Sequence, residues 1–324
     1  MAAELSALKG LDFLSSADLN GAQTQALLTL AADIKAGRRN PRLDGKVLGL
    51  IFSKASTRTR VSFTVAMARL GGQTIDLNPS VSQVGRGEPI EDTARVLSRY
   101  LNAVAIRTFA QSDLQAYADA ASIPIINALT DLEHPCQALA DYLTMQEAFG
   151  SLEGLTMTYV GDGNNVAHSL LIGGALLGVN VRIGCPAGFY PLEEVVAQAK
   201  AIAAGRSEIV ISEDPAEAVS GAHAVYTDVW ASMGQEEEQS SRVQAFRGFC
   251  VDEALMGHAD AKAIVLHCLP AHRGEEVTDG VMDHAQSIVF DQAENRMWAQ
   301  MSIMARLVDP AAWEAMGEFM GLEA

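Results

Sequence analysis

Basic residues are scarce in this chain. Lysine and arginine together number 23 against 40 aspartates and glutamates, a formal net charge of −17. So acidic a surface offers no general attraction to a phosphate polymer or an anionic bilayer, which argues against nucleic acid or a charged membrane as partner. A small anion would have to be held by a few local arginines against the global repulsion. Cysteine is also sparse: four residues, at 136, 185, 250 and 268, none in a C-x-x-C pair. That spacing gives no support to a zinc site or a dithiol redox motif, and free thiols fit a reducing cytoplasm. No apolar run is long enough for a membrane span, and the start, MAAELSALKGLDFLSS, lacks the charged-then-apolar pattern of a signal peptide. Internal repeats and low-complexity tracts are missing too. The expectation is a soluble cytoplasmic protein.

What is present is ordinary for a chain with substantial cores. The 324 residues, 49% hydrophobic and 19% charged, suit about two domains. Short apolar runs alternate with helical patterns along the whole length. Strands are expected at 47–52, 73–77, 103–108, 123–129, 155–160, 180–184, 208–212, 222–227, 263–269 and 287–290. Helices are expected at 11–37, after Thr59, and at 89–100, 112–121 (capped by Ser112), 135–149, 166–177, 192–204, 215–220 and 294–307. Stretches 78–87 and 228–239 read as polar loops. This alternation predicts an α/β protein of two open domains with mostly parallel central sheets, divided near Gly150. Ligands of such sheets bind beyond the carboxyl ends of the strands, and polar clusters follow those ends here, so the cleft between the domains is the expected active site.

The first cluster is Ser56-Thr57-Arg58-Thr59-Arg60, between a buried-type strand and a helix. Free N–H groups at a helix start, hydroxyls and planar guanidinium groups suit a phosphate, although a capping serine before a solvated basic turn is the simpler alternative. The G-x-x-x-x-G-K-[ST] spacing of a nucleotide-binding loop is missing. Next, His134-Pro135-Cys136-Gln137 opens a helix with proline at its first position. Its histidine can donate to an oxyanion and its glutamine can bind an amide, or both can serve as cap and core. Gly161-Asp162-Gly163-Asn164-Asn165 follows a strand but has Val166 where a third glycine would be needed. No acidic residue ends the next strand, so a nicotinamide cofactor is disfavoured. The paired asparagines suit the carboxylate of a zwitterionic amino acid instead. Asp228 can pair with an ammonium group, while the Glu run at 236–238 reads as a solvated face. Cys268, in His267-Cys268-Leu269-Pro270, is either a nucleophile or a packed thiol; with no His/Asp partner fixed in sequence, a contact role is favoured.

Ser-Thr-Arg-Thr-Arg, Ile-Arg-Thr, His-Pro-Cys-Gln, Gly-Asp-Gly-Asn-Asn, Asp-Val-Trp-Ala-Ser-Met-Gly and His-Cys-Leu-Pro stand in that order. In this the chain resembles the aspartate/ornithine carbamoyltransferases, on the ornithine side of the family, from about Asp12 to the last helix. The resemblance implies transfer of a carbamoyl group from carbamoyl phosphate to the δ-amine of L-ornithine, giving L-citrulline and phosphate, by direct attack through a tetrahedral intermediate. It implies a carbamoyl phosphate domain over 1–149 with a returning helix at 300–324, and an ornithine domain over 150–299. By motif, Ser56, Thr57, Arg58 and Thr59 hold the phosphate. Arg107, His134 and Gln137 surround the carbamoyl group, and Gln83 reaches a neighbouring subunit's site. Cys268, Leu269 and Arg296 complete the carbamoyl phosphate contacts; Asn165, Asp228, Ser232 and Met233 contact ornithine. Arg107, His134, Asp228 and Cys268 are the catalytic candidates. The implied assembly is a homotrimer, or a multiple of trimers, with shared sites, and no metal or cofactor is needed. Where some members carry an arginine directly after Cys-Leu-Pro, this chain has Ala271-His272-Arg273-Gly274, which leaves the place of Arg273 to be found.

Overall fold

The computed structural model describes residues 1–54, 56–78, 87–231 and 239–309. Gln83, Ser232 and Met233, and most of both expected polar loops, lie outside the described residues. The chain forms two compact units, Met1–Leu139 with the segment from Arg296 onward, and Ala140–Asn295. Both divisions fall inside helices, Pro135–Phe149 and Val289–Leu307.

The first unit is built on strands β1 (Val47–Phe52), β2 (Gln73–Asp76), β3 (Ala103–Arg107) and β4 (Ile125–Leu129), all parallel, in the order β2-β1-β3-β4. Near-continuous apolar runs such as Val47-Leu48-Gly49-Leu50-Ile51-Phe52 form strands because both faces are covered by crossover helices. Ile51, Val104, Ile106 and Ile125 pack with Leu14, Leu101, Leu114 and Tyr117 in one core cluster. The β3–β4 register slips after Ile106, which faces Asn127, whereas Arg107 faces Leu129. Such an irregularity re-aims the next side chain, here the arginine at the strand end.

The second unit holds β5 (Thr156–Val160), β6 (Asn180–Gly184), β7 (Ile209–Ser212), β8 (Ala224–Thr227) and β9 (Ile264–His267), again all parallel, in the order β7-β6-β5-β8-β9. Val160, Val225 and Val265 of β5, β8 and β9 pack against Trp230, Phe246 and Val251. Two such sheets are the expected α/β architecture, with pairing parallel throughout the named strands.

Three local expectations fail for clear reasons. Residues 11–15 are not helical: Phe13 pairs with Ile126 beside β4, donating to Ile125 O at 2.8 Å and accepting from Asn127 N at 2.8 Å. The helix runs Gly21–Lys35, and Asn20 and Gln23 cap it reciprocally. The strand expected at 287–290 is a single bridge, Val265 to Ser287, after which the chain turns into the Val289–Leu307 helix five residues earlier than expected. Phe290 is 71% exposed, so the apolar run that suggested a strand is not a buried one. Ser112 is not a cap either; the helix starts at Gln111, whose N–H donates to Asp131 Oδ1 at 3.1 Å.

Candidate active site

In the first unit the Thr57–Arg69 helix begins directly beyond β1. Ser56 occupies its cap position, but its side chain makes no capping hydrogen bond. Its Oγ instead faces Arg107, whose Nη1 lies 3.4 Å away. The capping alternative for Ser56 therefore does not hold. Thr59 is buried, and Arg296 Nη2 donates to its Oγ1 at 2.5 Å. Arg58 is exposed at the same helix start. Arg60 serves a different purpose, pairing with Asp76 and lying 4.9 Å over the Phe52 ring. The two arginines of the motif are thus placed differently, Arg60 against Asp76 and Phe52, Arg58 exposed at the helix start.

His134 is buried immediately before Pro135, and its backbone carbonyl accepts from Gln137 N at 3.0 Å and Ala138 N at 3.2 Å. His134 thus joins the helix through its main chain. Burial, then the positive charges of Arg296, Arg107 and Arg58, push the imidazole well below its ordinary pKa. A neutral ring held beside three guanidinium groups can donate one N–H without adding a fourth positive charge. Gln137 is buried one turn on. Cys136 is structural: its thiol faces Asn127 O at 3.3 Å and burial pushes its pKa up to about 12.

One residue of this half-site carries no sequence motif. Glu133 is buried; Ser16 N donates to it at 3.0 Å and the Ser15 hydroxyl also donates to it. It fastens the segment entering His134 to the N-terminal stretch. Its place beside His-Pro-Cys-Gln was the only available signal.

In the second unit Asp228 follows β8 and is buried. Its carboxylate accepts from Cys268 Sγ at 3.0 Å, Asn164 Nδ2 at 3.2 Å and Val229 N at 2.8 Å. Cys268 thus lies within hydrogen-bond distance of Asp228. Asn164 is spent as the helix cap: its Oδ1 accepts from Val166 N and Ala167 N, at 2.9 and 3.2 Å. The two adjacent asparagines are thus not equivalent: Asn164 caps the helix, and Asn165 is half-buried at its first position.

The Gly-Asp-Gly turn has a use of its own. A Cβ on Gly163 would lie 2.1 Å from Pro191 N and 2.4 Å from Tyr190 C. In a dinucleotide-binding turn that glycine admits a pyrophosphate; here the protein's own backbone takes the space. Asp162 forms a buried ion pair with Arg242 Nη1 at 2.8 Å, and the same nitrogen donates to Trp230 O at 3.0 Å. Arg242, which sequence patterning did not single out, also lies 5.1 Å over the Phe189 ring.

Asp228, His267 and Cys268 bring ligand-type atoms within 4.8 Å of one another. Both ring nitrogens of His267 are already engaged, Nδ1 by Leu269 N at 2.8 Å and Nε2 by Glu276 at 3.0 Å. The group therefore reads as a hydrogen-bonded network. Arg273 is committed locally as well, to Asp279 at 2.8 Å and through both terminal nitrogens to Asp283 at 2.8 and 2.9 Å.

The first unit thus gathers Ser56, Arg58, Thr59, Arg107, His134 and Arg296 of the expected residues, and the second brings Asp228 and Cys268 together with Asn164. Residues 11–147 match the aspartate/ornithine carbamoyltransferase carbamoyl-P binding domain, and residues 153–307 match the Asp/Orn binding domain of the same family. The chain is 66% identical over 308 residues to the ornithine carbamoyltransferase of Parasynechococcus marenigrum (strain WH8102), covering 95% of this chain and 97% of that protein. It is 65% identical over 308 residues to that of Prochlorococcus marinus (strain MIT 9313), with the same coverage. Among solved structures, ornithine carbamoyltransferase from Gloeobacter violaceus superposes with a TM-score of 0.85 at 55% identity, over 92% of this chain and 98% of that one. The Pyrococcus furiosus enzyme gives 0.89 at 48% identity, over 93% and 98%. With nearly every residue of both units so matched, the chain belongs to the aspartate/ornithine carbamoyltransferase family.

Proposed function

We propose that this protein is an ornithine carbamoyltransferase, converting carbamoyl phosphate and L-ornithine to L-citrulline and phosphate in arginine biosynthesis. The observation that carries this reading is the buried His134, whose imidazole burial and the charges of Arg296, Arg107 and Arg58 push toward its neutral form, on a chain of net charge −17. So local a concentration of positive charge suits a small, highly charged phosphate ester. The choice of ornithine rests on the named relatives and on Asp228, an acidic partner for an ammonium group where an aspartate-using enzyme would need a basic one.

In this reading the first unit binds carbamoyl phosphate. Ser56, Thr57, Arg58, Thr59 and the free N–H groups of the helix start hold its phosphate, with Arg296 as a further anion contact. Gln137 and the backbone of Cys268 and Leu269 bind the carbamoyl amide. Asn165 and Asp228 bind ornithine, with Ser232 and Met233 as further contacts. The neutral δ-amine attacks the carbonyl carbon and a C–N bond forms. Thr59, Arg107 and the neutral His134 ring stabilise the oxyanion of the tetrahedral intermediate. The C–O bond to phosphate then breaks, the amine proton passes to the departing phosphate, and the phosphate leaves against Arg58.

A homotrimer with shared sites, Gln83 reaching the neighbouring subunit's site, belongs to the same proposal. An apolar face beside the cradle supports it: Val61 and Val65 of the cradle helix and Ile75 of the edge strand β2 are 53%, 37% and 47% exposed. A cytoplasmic location is supported by four free cysteines, and no helix among the described residues is long and apolar enough to cross a membrane. The deciding experiment is steady-state citrulline formation by the purified protein, run beside aspartate and putrescine as alternative acceptors, with light scattering for the assembly. Carbamoylation of aspartate without citrulline would overturn the substrate assignment.

A further inference from the structure

We propose that Glu276 is the positioning residue that holds Cys268 against Asp228, by clamping the loop 267–272 at both ends. Its consequence for turnover rests on the carbamoyl-transfer reading above; its geometry does not.

A single atom does the clamping. Glu276 Oε1 accepts from His267 Nε2 at 3.0 Å and from the His272 backbone N–H at 2.6 Å. The tautomer of His267 follows from its other nitrogen. Nδ1 accepts the Leu269 N–H at 2.8 Å, so the ring proton sits on Nε2 and points at the carboxylate. The backbone N–H of His267 is held by Gln292 Oε1 at 2.8 Å. Imidazole and carboxylate side chains are both fully buried. The loop is therefore fastened at its first, third and sixth residues, directly or through the ring, by one glutamate.

What lies between those points is the reacting end of the second half-site. Cys268 donates to Asp228 Oδ1 at 3.0 Å, and Leu269 stands at φ 60°, a conformation that a leucine keeps only where its surroundings impose it. The Leu269 N–H bond to the ring is one restraint on that residue. The second carboxylate oxygen, Glu276 Oε2, is buried with no hydrogen-bond partner among the described residues. The work therefore falls on Oε1 as an acceptor, and a glutamine, which also presents an oxygen there, can replace it.

The test compares Glu276→Gln, Glu276→Ala and His267→Phe in the full chain. The last keeps a ring but removes the acceptor for Leu269, and it serves where the alanine variant fails to fold. Alkylation of Cys268 by iodoacetamide is followed by peptide mass spectrometry, with Cys250 as internal control. Citrulline kinetics give kcat and KM separately. A thiol released from the Asp228 carboxylate ionises more readily, so Glu276→Ala and His267→Phe are expected to speed Cys268 alkylation about tenfold. Their kcat is expected to fall about tenfold while KM for carbamoyl phosphate moves less than about threefold, and Glu276→Gln should stay within about threefold of wild type throughout. Wild-type alkylation and kcat in a folded Glu276→Ala or His267→Phe, or a glutamine variant as impaired as the alanine one, overturns the clamp. If the wild-type protein makes no citrulline, the functional reading falls, and the alkylation rates still decide on Glu276.

Discussion

Replacing His134 by glutamine should remove a specific pH dependence of stability. In the folded protein the imidazole is held well below its ordinary value of 6.5 by burial and by the three nearby guanidinium groups. In the unfolded chain it titrates near that ordinary value. As pH falls below about 6.5 the unfolded state takes up a proton that the folded state refuses, so stability is lost toward acid and regained toward neutral pH. The loss approaches about 1.4 kcal/mol per pH unit for as long as the folded ring stays neutral. Integrated from about pH 7.5 to about pH 5.5, one such group contributes a decrease of about 1.4 kcal/mol. Other residues titrate in the same range, so the quantity to measure is the difference between wild type and His134→Gln. Urea midpoints and slopes, taken at one protein concentration in phosphate-free buffer, give it directly. The wild type is expected to lose about 1.4 kcal/mol more than the variant over those two pH units. Carbon-13 labelling of the histidines should show one ring signal that stays neutral throughout and vanishes in the variant. Parallel stability curves, or a His134 signal titrating at its ordinary value, would refute the argument that this ring works in its neutral form.

Arg58→Ala removes a charged phosphate contact and should cost about 3 kcal/mol or more of transition-state binding, roughly a hundredfold in kcat/KM for carbamoyl phosphate. Arg242→Met strands the buried Asp162 carboxylate and should destabilise by about 3–5 kcal/mol in urea unfolding, with partial recovery when Asp162→Asn is added. Gly163→Ala forces its new methyl against the Tyr190–Pro191 backbone, which should lower stability by about 1–3 kcal/mol and impair ornithine turnover. Arg273→Ala should leave citrulline kinetics near wild type, because that guanidinium is already occupied by Asp279 and Asp283; a large rise in the KM for either substrate would give it a substrate contact after all.

The fold was legible because its signals are local. Apolar runs like 47–52 and 103–107 mark buried parallel strands, and the patterns between them mark crossovers. Where an interaction came from far along the chain, local pattern misled. Residues 11–15 look like the start of a helix until β4 offers them a partner more than a hundred residues away. The candidate site divides the same way. Clusters at strand ends pointed to Ser56–Arg60, His134 and Asp228 as candidates. They did not separate Arg60 from Arg58, or Asn164 from Asn165, because those roles depend on which partner each side chain meets: Asp76 for the first arginine, the helix N–H groups for the first asparagine. Glu133, Arg242 and Glu276 were invisible for a related reason. A single acidic or basic residue in a mixed stretch carries no pattern, and its importance comes from burial that only the folded chain imposes.

The hydrogen bond from Arg296 to Thr59 joins residues 237 positions apart, and both belong to the first unit. On the ribosome this sets a schedule. At about 5–20 residues per second, the arginine leaves the peptidyl-transferase centre roughly 10–50 s after the threonine it will hold. For that interval the first sheet can assemble, but its anion cradle waits for a side chain not yet made. Nascent or prematurely terminated chains that stop short of Arg296 would therefore lack this bond, and with it one contact of the proposed carbamoyl phosphate site, however well their strands had paired. Synthesis of the whole intervening unit thus becomes a timer on the appearance of activity.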